Sequence, residues 1–306
     1  MTNKIHSIQR ALIVAGVHGN EFTGIYVLKK LEQHPHLIRR ENFEVITLLA
    51  NPKAFAAARR YIDRDLNRSF EKSDLQDLTR SSYEDIRAKE INNLFGKNGK
   101  TPVDIVLDIH STTANMGLTV ITDDCPFNLQ LVGYLKKVNP AVNIYILPES
   151  EESSSLPSIC ELGCTIEVGA VPQGVLQADF FQQTEALIIN ALNYLEQYNR
   201  GELPYFDNSL TIYRHIGTID YPRNESGELQ GMIHPQLQSQ NYQPLAPGEP
   251  MFLTFDEQTI TYEGESTVYP VFINEAAYYE KGIAMCLTQK ELIHDYSQTL
   301  TPSTST

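Results

Sequence analysis

The stretch ALIVAGVHGNEFTG, residues 11–24, decides how the first part of the chain folds. Residues 11–17 are apolar and rich in β-branched and small side chains, which predicts a fully buried strand. Residues 21–33 carry apolar side chains at helical spacing, so a helix should follow directly. His18 and Glu21 lie where strand gives way to helix, and both side chain types can bind a metal ion.

Strands and helices continue to alternate through the first two thirds of the chain. Buried strands are expected at 43–50, 103–110 and 163–169, with further strands at GLTVIT and NIYILP. Helices are expected at 81–96, between a serine cap and a terminal glycine, and at 177–198. This order predicts an α/β fold with a mainly parallel or mixed sheet.

The pattern changes after about residue 203. GELPYFDNS (201–209) is typical of a linker, and short β-like runs with frequent Pro and Gly follow it: LTIYRHIGTI, MFLTF and TVYPVFI. We therefore expect a catalytic domain over 1–203 and a smaller β-rich domain over 204–306. The tail from about residue 300 should be disordered.

Composition narrows the possible functions. The 306 residues include 24 basic and 38 acidic side chains, a net charge of −14, which disfavours binding to nucleic acid or to anionic membranes. No run of 18 apolar residues predicts a membrane span. The four cysteines are scattered, as in a reduced cytoplasmic protein, and the Cys160–Cys164 pair has no second pair nearby to complete a zinc site.

Four chemically active side chains fall at or just after the ends of predicted strands: His18, Glu21, His110 and Glu167. In open α/β sheets, ligands bind beyond the carboxyl ends of the strands, so these side chains can converge. Zinc in hydrolytic sites takes three His or carboxylate ligands, and Asp108 would support His110. The plainer alternatives are a chance His-x-x-Glu, a structural histidine and a glutamate in a structural ion pair.

Longer blocks are more specific than this spacing. VAGVHGNEFTG, NPKAFAAARRYIDRDLNRSF, DIHSTTANMG and IEVGAVPQGVLQADFF together resemble the aspartoacylase family, and DYPRNESGELQGMIHPQLQSQNYQPLAPGEPMF and TVYPVFINEAAYYEK extend the resemblance over residues 10–281. Members are zinc enzymes that hydrolyse N-acetyl-L-aspartate. The resemblance implies a zinc-carboxypeptidase-like mixed-sheet catalytic domain and a smaller β-rich C-terminal domain that caps the active site.

The resemblance also implies roles for individual residues. One Zn²⁺ per subunit would be held by His18, Glu21 and His110. Glu167 would be the catalytic carboxylate and Arg60 would polarise the scissile carbonyl. The substrate's α-carboxylate would be held by Asn67 and Arg68. Tyr278 would reach in from the second domain and donate a hydrogen bond to the substrate carboxylate. Among the neighbouring side chains, solvated pairing with Asp63 and Asp65 is expected for Arg59 and Arg64, and simple packing for Tyr279.

One departure leaves the substrate's side chain open. Mammalian aspartoacylases carry a tyrosine and an arginine before the catalytic-glutamate strand, whereas here Pro157 stands where the arginine would be expected. One alternative is therefore an aminoacylase for N-acetylated aromatic or S-substituted cysteine amino acids. Another is a zinc- or ligand-binding protein without turnover. The expected partner is a small N-acyl amino acid, with no nucleic acid and no membrane, and a homo-oligomer is compatible with the sequence.

Overall fold

The computed structural model describes residues 7–148, 154–203 and 209–294. Its strands are β1 Arg10–Ala15, β2 Glu44–Leu49, β3 Ile105–Ser111, β4 Gly117–Thr122, β5 Val142–Ile146, β6 Leu162–Gly169, β7 Ser209–Ile219, β8 Gly231–Ile233, β9 Pro250–Thr254, β10 Thr259–Thr261 and β11 Met285–His294. Its helices are α1 Phe22–Gln33, α2 Pro52–Ala56, α3 Lys72–Gln76, α4 Tyr83–Phe95, α5 Pro126–Val138 and α6 Ala178–Arg200.

A mixed sheet of eight strands forms the centre of the molecule, in the order β11-β7-β5-β4-β6-β3-β1-β2. The pairs β1–β2, β1–β3 and β3–β6 are parallel, and β4 runs antiparallel to β6. The predicted α/β class with a mixed sheet is thus confirmed. The parallel arrangement brings the carboxyl ends of β1, β3 and β6 to one edge of the sheet.

Both faces of the central strands are buried, which explains their continuous apolar sequences. On β1, Ala11, Ile13 and Ala15 pack in a core cluster shared with α1, α5 and α6. Leu12 and Val14 point the other way, into a cluster that includes Ala88 and Ile91 of α4. Strand periodicity therefore places one helical layer on each face.

Local signals predicted the helix boundaries well and one burial pattern poorly. Ser82 and Asp85 form a reciprocal capping box that starts α4, and Gly96 ends that helix. The strand predicted at 43–50 is present as β2, but its prediction as a buried strand is wrong, because β2 lies at the sheet edge and is mostly half-buried.

The C-terminal part of the chain contributes to two sheets. β7 and β11 pair with each other and extend the large sheet beyond β5, whereas β8, β9 and β10 form a small antiparallel sheet. The large sheet therefore continues across the boundary predicted at residue 203, and the division into domains stays a prediction. TVYPVFI forms isolated bridges rather than a strand.

Residues 204–208, in the middle of the expected linker, lie outside the described residues, and so does the tail that was expected to be disordered. In the part of the chain that the structure describes, no helix has the length and apolar character needed to cross a bilayer.

Candidate active site

Three buried side chains meet at the carboxyl edge of the large sheet. His18 and Glu21 come from the turn between β1 and α1, and His110 comes from β3. The Nδ1 atoms of the two histidines lie 3.1 Å apart. Glu21 lies close to both rings, with Oε1 2.6 Å from Nδ1 of His18 and Oε2 3.0 Å from Nδ1 of His110. One ligand atom from each residue lies within 4.8 Å of the others.

The turn that carries His18 and Glu21 depends on Gly19. A Cβ atom added there would lie 2.1 Å from the backbone of Ala54 and Phe55, so only glycine fits. The Gly19 amide donates a hydrogen bond to the backbone carbonyl of Arg60 at 3.1 Å, which holds the turn against the segment that carries Arg60. This backbone contact explains why glycine stands between the two proposed ligands.

The donor set fits a zinc ion. Two imidazoles and a carboxylate suit zinc, and ring nitrogens 3.1 Å apart can both reach an ion at about 2.0–2.1 Å. The outward Nε2 atoms of both histidines face carboxylates, Asp108 at 2.9 Å from His110 and Asp65 at 3.0 Å from His18. Such outer carboxylates fix the tautomer that leaves the opposite nitrogen free to bind metal.

The support of His110 by Asp108 was expected from the sequence. The expectation that Asp65 would be solvated was wrong. The Asp65 side chain is only 9% exposed and also contacts Arg60 and Lys281. Burial opposes its charge, but His18 and these two cations outweigh burial and lower the pKa of the carboxyl below its usual range. The contact joins residues far apart in sequence, so no local spacing could have identified it.

Asp65→Asn should weaken zinc binding by about 10- to 100-fold, because an amide orients the His18 ring less well and does not carry the balancing charge. Competition with a chromogenic chelator would measure the change. Asp124→Asn is the matched control, since this exposed carboxylate pairs with Arg214 at the surface. Equal zinc affinity in the Asp65 variant and the wild type would contradict this role.

Glu167 lies beside this group in the sheet. It stands on β6 in register with His110 of β3, and only 8% of it is exposed. Its Oε1 atom has no hydrogen-bond partner, and among the described residues no ion pair includes it. Burial raises the pKa of Glu167 well above its usual range, and the charges of Glu21 and Glu275 act in the same direction. A structural ion pair therefore does not account for this carboxylate.

The arginines separate into two groups. Arg60 lines the cavity and donates to Glu21 at 3.2 Å and to Asp65 at 3.3 Å. Arg68 also lines the cavity, beside Asn67. In contrast, Arg64 pairs with Asp85 at 2.8 Å. Arg64 is half-buried, and its acidic partners Asp85 and Asp74 replace the Asp63 and Asp65 expected from the sequence. Arg59 is exposed and does not line the cavity.

The C-terminal part of the chain closes the cavity with one short turn, Ala276–Lys281. Glu275 anchors this turn by accepting hydrogen bonds from the backbone of Thr113 at 2.7 Å and Ala114 at 3.2 Å, in the loop after His110. Tyr278 lines the cavity, whereas Tyr279 stacks on Tyr221, as its expected packing role requires. Glu275 could not be singled out from the sequence, because its partners lie in the other half of the chain.

One part of the cavity lining is apolar. It is formed by Ile121, Leu147, Pro157, Phe272 and Ile283. The described residues 154–165 contain no basic side chain, in agreement with the departure noted at residue 157. Tyr145 and His215 add a polar pair to this region, with the tyrosine oxygen 2.7 Å from Nδ1 of the histidine.

Comparisons with known proteins cover almost the whole chain. Residues 7–195 match the family model for the succinylglutamate desuccinylase/aspartoacylase catalytic domain, and residues 208–290 match the AstE/AspA barrel-sandwich hybrid domain. A Nostoc sp. protein named "probable aspartoacylase" is 56% identical over 96% of this chain and 100% of its own length. A Mus musculus N-acyl-aromatic-L-amino acid amidohydrolase is 43% identical over 92% of this chain and 90% of its own. The crystal structure of murine aminoacylase 3 aligns with a TM-score of 0.89 and 41% identity, covering 94% of this chain and 97% of that one.

Proposed function

Because the chain belongs to the succinylglutamate desuccinylase/aspartoacylase family, as the resemblance predicted, we propose that it is an aspartoacylase. The reaction is hydrolysis of the amide bond of N-acetyl-L-aspartate to acetate and L-aspartate. The observation that carries the proposal is a buried carboxylate, Glu167, with an unpartnered oxygen in the same cavity as the His18, Glu21 and His110 group. A protein that only bound zinc would have no use for this fourth group.

The proposed cofactor is one Zn²⁺ per subunit, with His18, Glu21 and His110 as its ligands. When bound, zinc supplies a Lewis acid that polarises the amide carbonyl and lowers the pKa of water at the site. The neighbouring protein groups support this assignment. Backbone N–H of Ser111 donates to Glu21 Oε2 at 3.1 Å, and Asp65 and Asp108 hold the two rings.

Glu167 is the proposed general base and acid. It takes a proton from the attacking water and delivers it to the nitrogen of the leaving amine, which requires hydrogen-bond reach to both. The burial that raises its pKa favours this exchange, because the carboxylate holds the proton until the amine takes it. Arg60 donates to the carbonyl oxygen as negative charge develops there, a contribution typically worth about 10²- to 10³-fold in rate.

The proposed site for the α-carboxylate is formed by Asn67, Arg68 and Tyr278. The Oδ1 atom of Asn67 accepts from the backbone of Leu156 at 2.9 Å, which leaves the amide nitrogen as the donor. Arg68 offers a planar fork that suits a carboxylate. The Tyr278 hydroxyl, from the C-terminal turn, is the third proposed donor, and these three residues line the same cavity as the two histidines.

A second candidate function is hydrolysis of N-acyl aromatic amino acids. The observation that favours it is the apolar wall of the cavity, where Pro157 stands in place of the family's arginine. An aromatic or thioether side chain would be compatible with that wall, whereas an aspartate carboxylate there would need a cation. The mouse relative that is named for N-acyl aromatic substrates also supports this second candidate.

Turnover of a small substrate panel tests the two candidates. We expect the zinc-loaded enzyme to show a higher kcat/KM for N-acetyl-L-aspartate than for N-acetyl-L-tyrosine or N-acetyl-L-methionine. The D-enantiomer of N-acetylaspartate is the control for stereospecific binding. A clear preference for N-acetyltyrosine would assign the second function, and turnover of none of these compounds would favour a binding protein.

A further inference from the structure

Lys281 ends the turn that closes the cavity and lies close to the proposed catalytic groups. Its Nζ atom is 3.1 Å from Oδ2 of Asp65, and its side chain is 20% exposed. The ammonium also lies 5.3 Å from the centre of the Tyr278 ring. The residue lines the same cavity as Arg60 and Arg68, so it contributes a third long cationic side chain to the wall.

The proposed substrate carries two carboxylates, and the cavity must neutralise both. Arg68 and Asn67 account for one of them. Arg60 is assigned to the carbonyl oxygen of the scissile amide, and it also donates to Glu21 and Asp65. Burying the second carboxylate against the apolar wall without a partner would be strongly unfavourable. Among the described residues that line the cavity, the remaining basic side chains are Lys281 and His215.

Lys281 is the better placed of these two. An ammonium has three donor positions, and Asp65 is the hydrogen-bond acceptor recorded for this one in the described part of the chain. His215 instead shares Nδ1 with the hydroxyl of Tyr145. Lys281 lies over the Tyr278 ring and lines the same cavity as Arg68, so a substrate held there by its α-carboxylate would bring a short acidic side chain near the ammonium.

We propose that Lys281 binds the side-chain carboxylate of N-acyl-L-aspartate and so determines the preference for an acidic substrate. This inference rests on the proposed function and names the group that replaces the arginine missing near residue 157. Burial lowers the pKa of Lys281, and Asp65, the resting partner of the ammonium, acts in the opposite direction. Substrate binding adds a second carboxylate to the same ammonium.

Equilibrium binding to zinc-loaded enzyme carrying Glu167→Gln tests the proposal without turnover. The two ligands are N-acetyl-L-aspartate and N-acetyl-L-asparagine, which have nearly the same shape and differ in the second charge. Adding Lys281→Met should raise the Kd for N-acetylaspartate about tenfold or more, because a charge-assisted hydrogen bond is lost. The Kd for N-acetylasparagine should change by a clearly smaller factor, because its amide side chain forms no charge-assisted hydrogen bond with the ammonium.

Lys290→Met is the matched control, since this lysine lies on β11 over the rings of Tyr213 and Tyr269 and does not line the cavity. Lys281→Arg should retain most of the affinity for the dianion. Where Lys281→Met does not fold, Lys281→Gln keeps a donor for Asp65 without the charge and gives the same comparison.

Three results would overturn the role of Lys281. The first is an equal loss of affinity for both ligands, which is expected if the lysine only supports Asp65 and the zinc site. The second is no loss of affinity for either ligand. The third is that the enzyme with Lys281 intact does not bind N-acetylaspartate. Zinc content measured on each variant separates the first result from a loss of metal. Failure of the proposed function would be seen differently: the enzyme that retains Glu167 would bind N-acetylaspartate but would not hydrolyse it.

Discussion

Glu167→Gln should lower kcat/KM for the preferred N-acetyl amino acid by about 10²- to 10⁴-fold, the usual contribution of a general base or acid. Glutamine has nearly the same shape but cannot accept a proton from water at neutral pH. Since the carboxylate makes no ion pair in the described residues and its Oε1 is unpartnered, the substitution removes little structural support. Zinc content and thermal stability should therefore stay at wild-type values.

Steady-state kinetics and elemental analysis on the same preparation would measure both quantities. Glu161→Gln is the matched control, because this exposed glutamate lies just before β6 and pairs with Lys97 outside the metal group. Near-normal activity in the Glu167 variant would mean that another group moves the proton. A parallel loss of zinc and activity would instead make Glu167 part of the metal site.

His110→Ala should abolish both zinc binding and hydrolysis. The change removes one of three proposed ligands and also leaves Asp108, which is fully buried, without its histidine partner. An unsatisfied buried partner typically costs about 1–3 kcal/mol in the free energy of unfolding, so the variant should also be less stable. Loss of stabilisation by bound metal adds to this effect.

Metal content after dialysis and urea unfolding with and without added zinc would test this expectation. His36→Ala serves as control, since that histidine is exposed in the segment after α1. Added zinc should raise the unfolding midpoint of the wild type and of the control, and not that of the His110 variant. A His110 variant that retains one zinc per chain would refute the ligand assignment.

Much of the fold could be predicted because its determinants are local. The apolar run before His18, the capping box at Ser82 and the glycine after α4 each specify a strand or a boundary within a few residues. The position of a strand within the sheet is not determined by its local sequence. The sequence of β2 is as apolar as that of a central strand, and only its place at the sheet edge leaves it half-buried.

The same distinction applies to the site. The residues at strand ends could be proposed from the sequence because parallel strands bring their ends together. Asp65, Glu275 and Lys281 could not, since each acts through a contact with a distant segment. The sequence alone predicts an ordinary partner for nearby arginines at Asp65 and an ordinary acidic residue at Glu275. Only the fold brings Asp65 to His18 and Glu275 to Thr113.

The continuity of the large sheet has a consequence for how substrates are admitted. β7 and β11 lie in the same hydrogen-bonded sheet as β3 and β6, and the turn that carries Tyr278 is tied to the loop after His110 through Glu275. A hinge that swung the C-terminal part away would have to break these bonds. Entry of a small molecule by rearrangement of individual side chains at the rim breaks none of these bonds, whereas entry by movement of the whole C-terminal part breaks them.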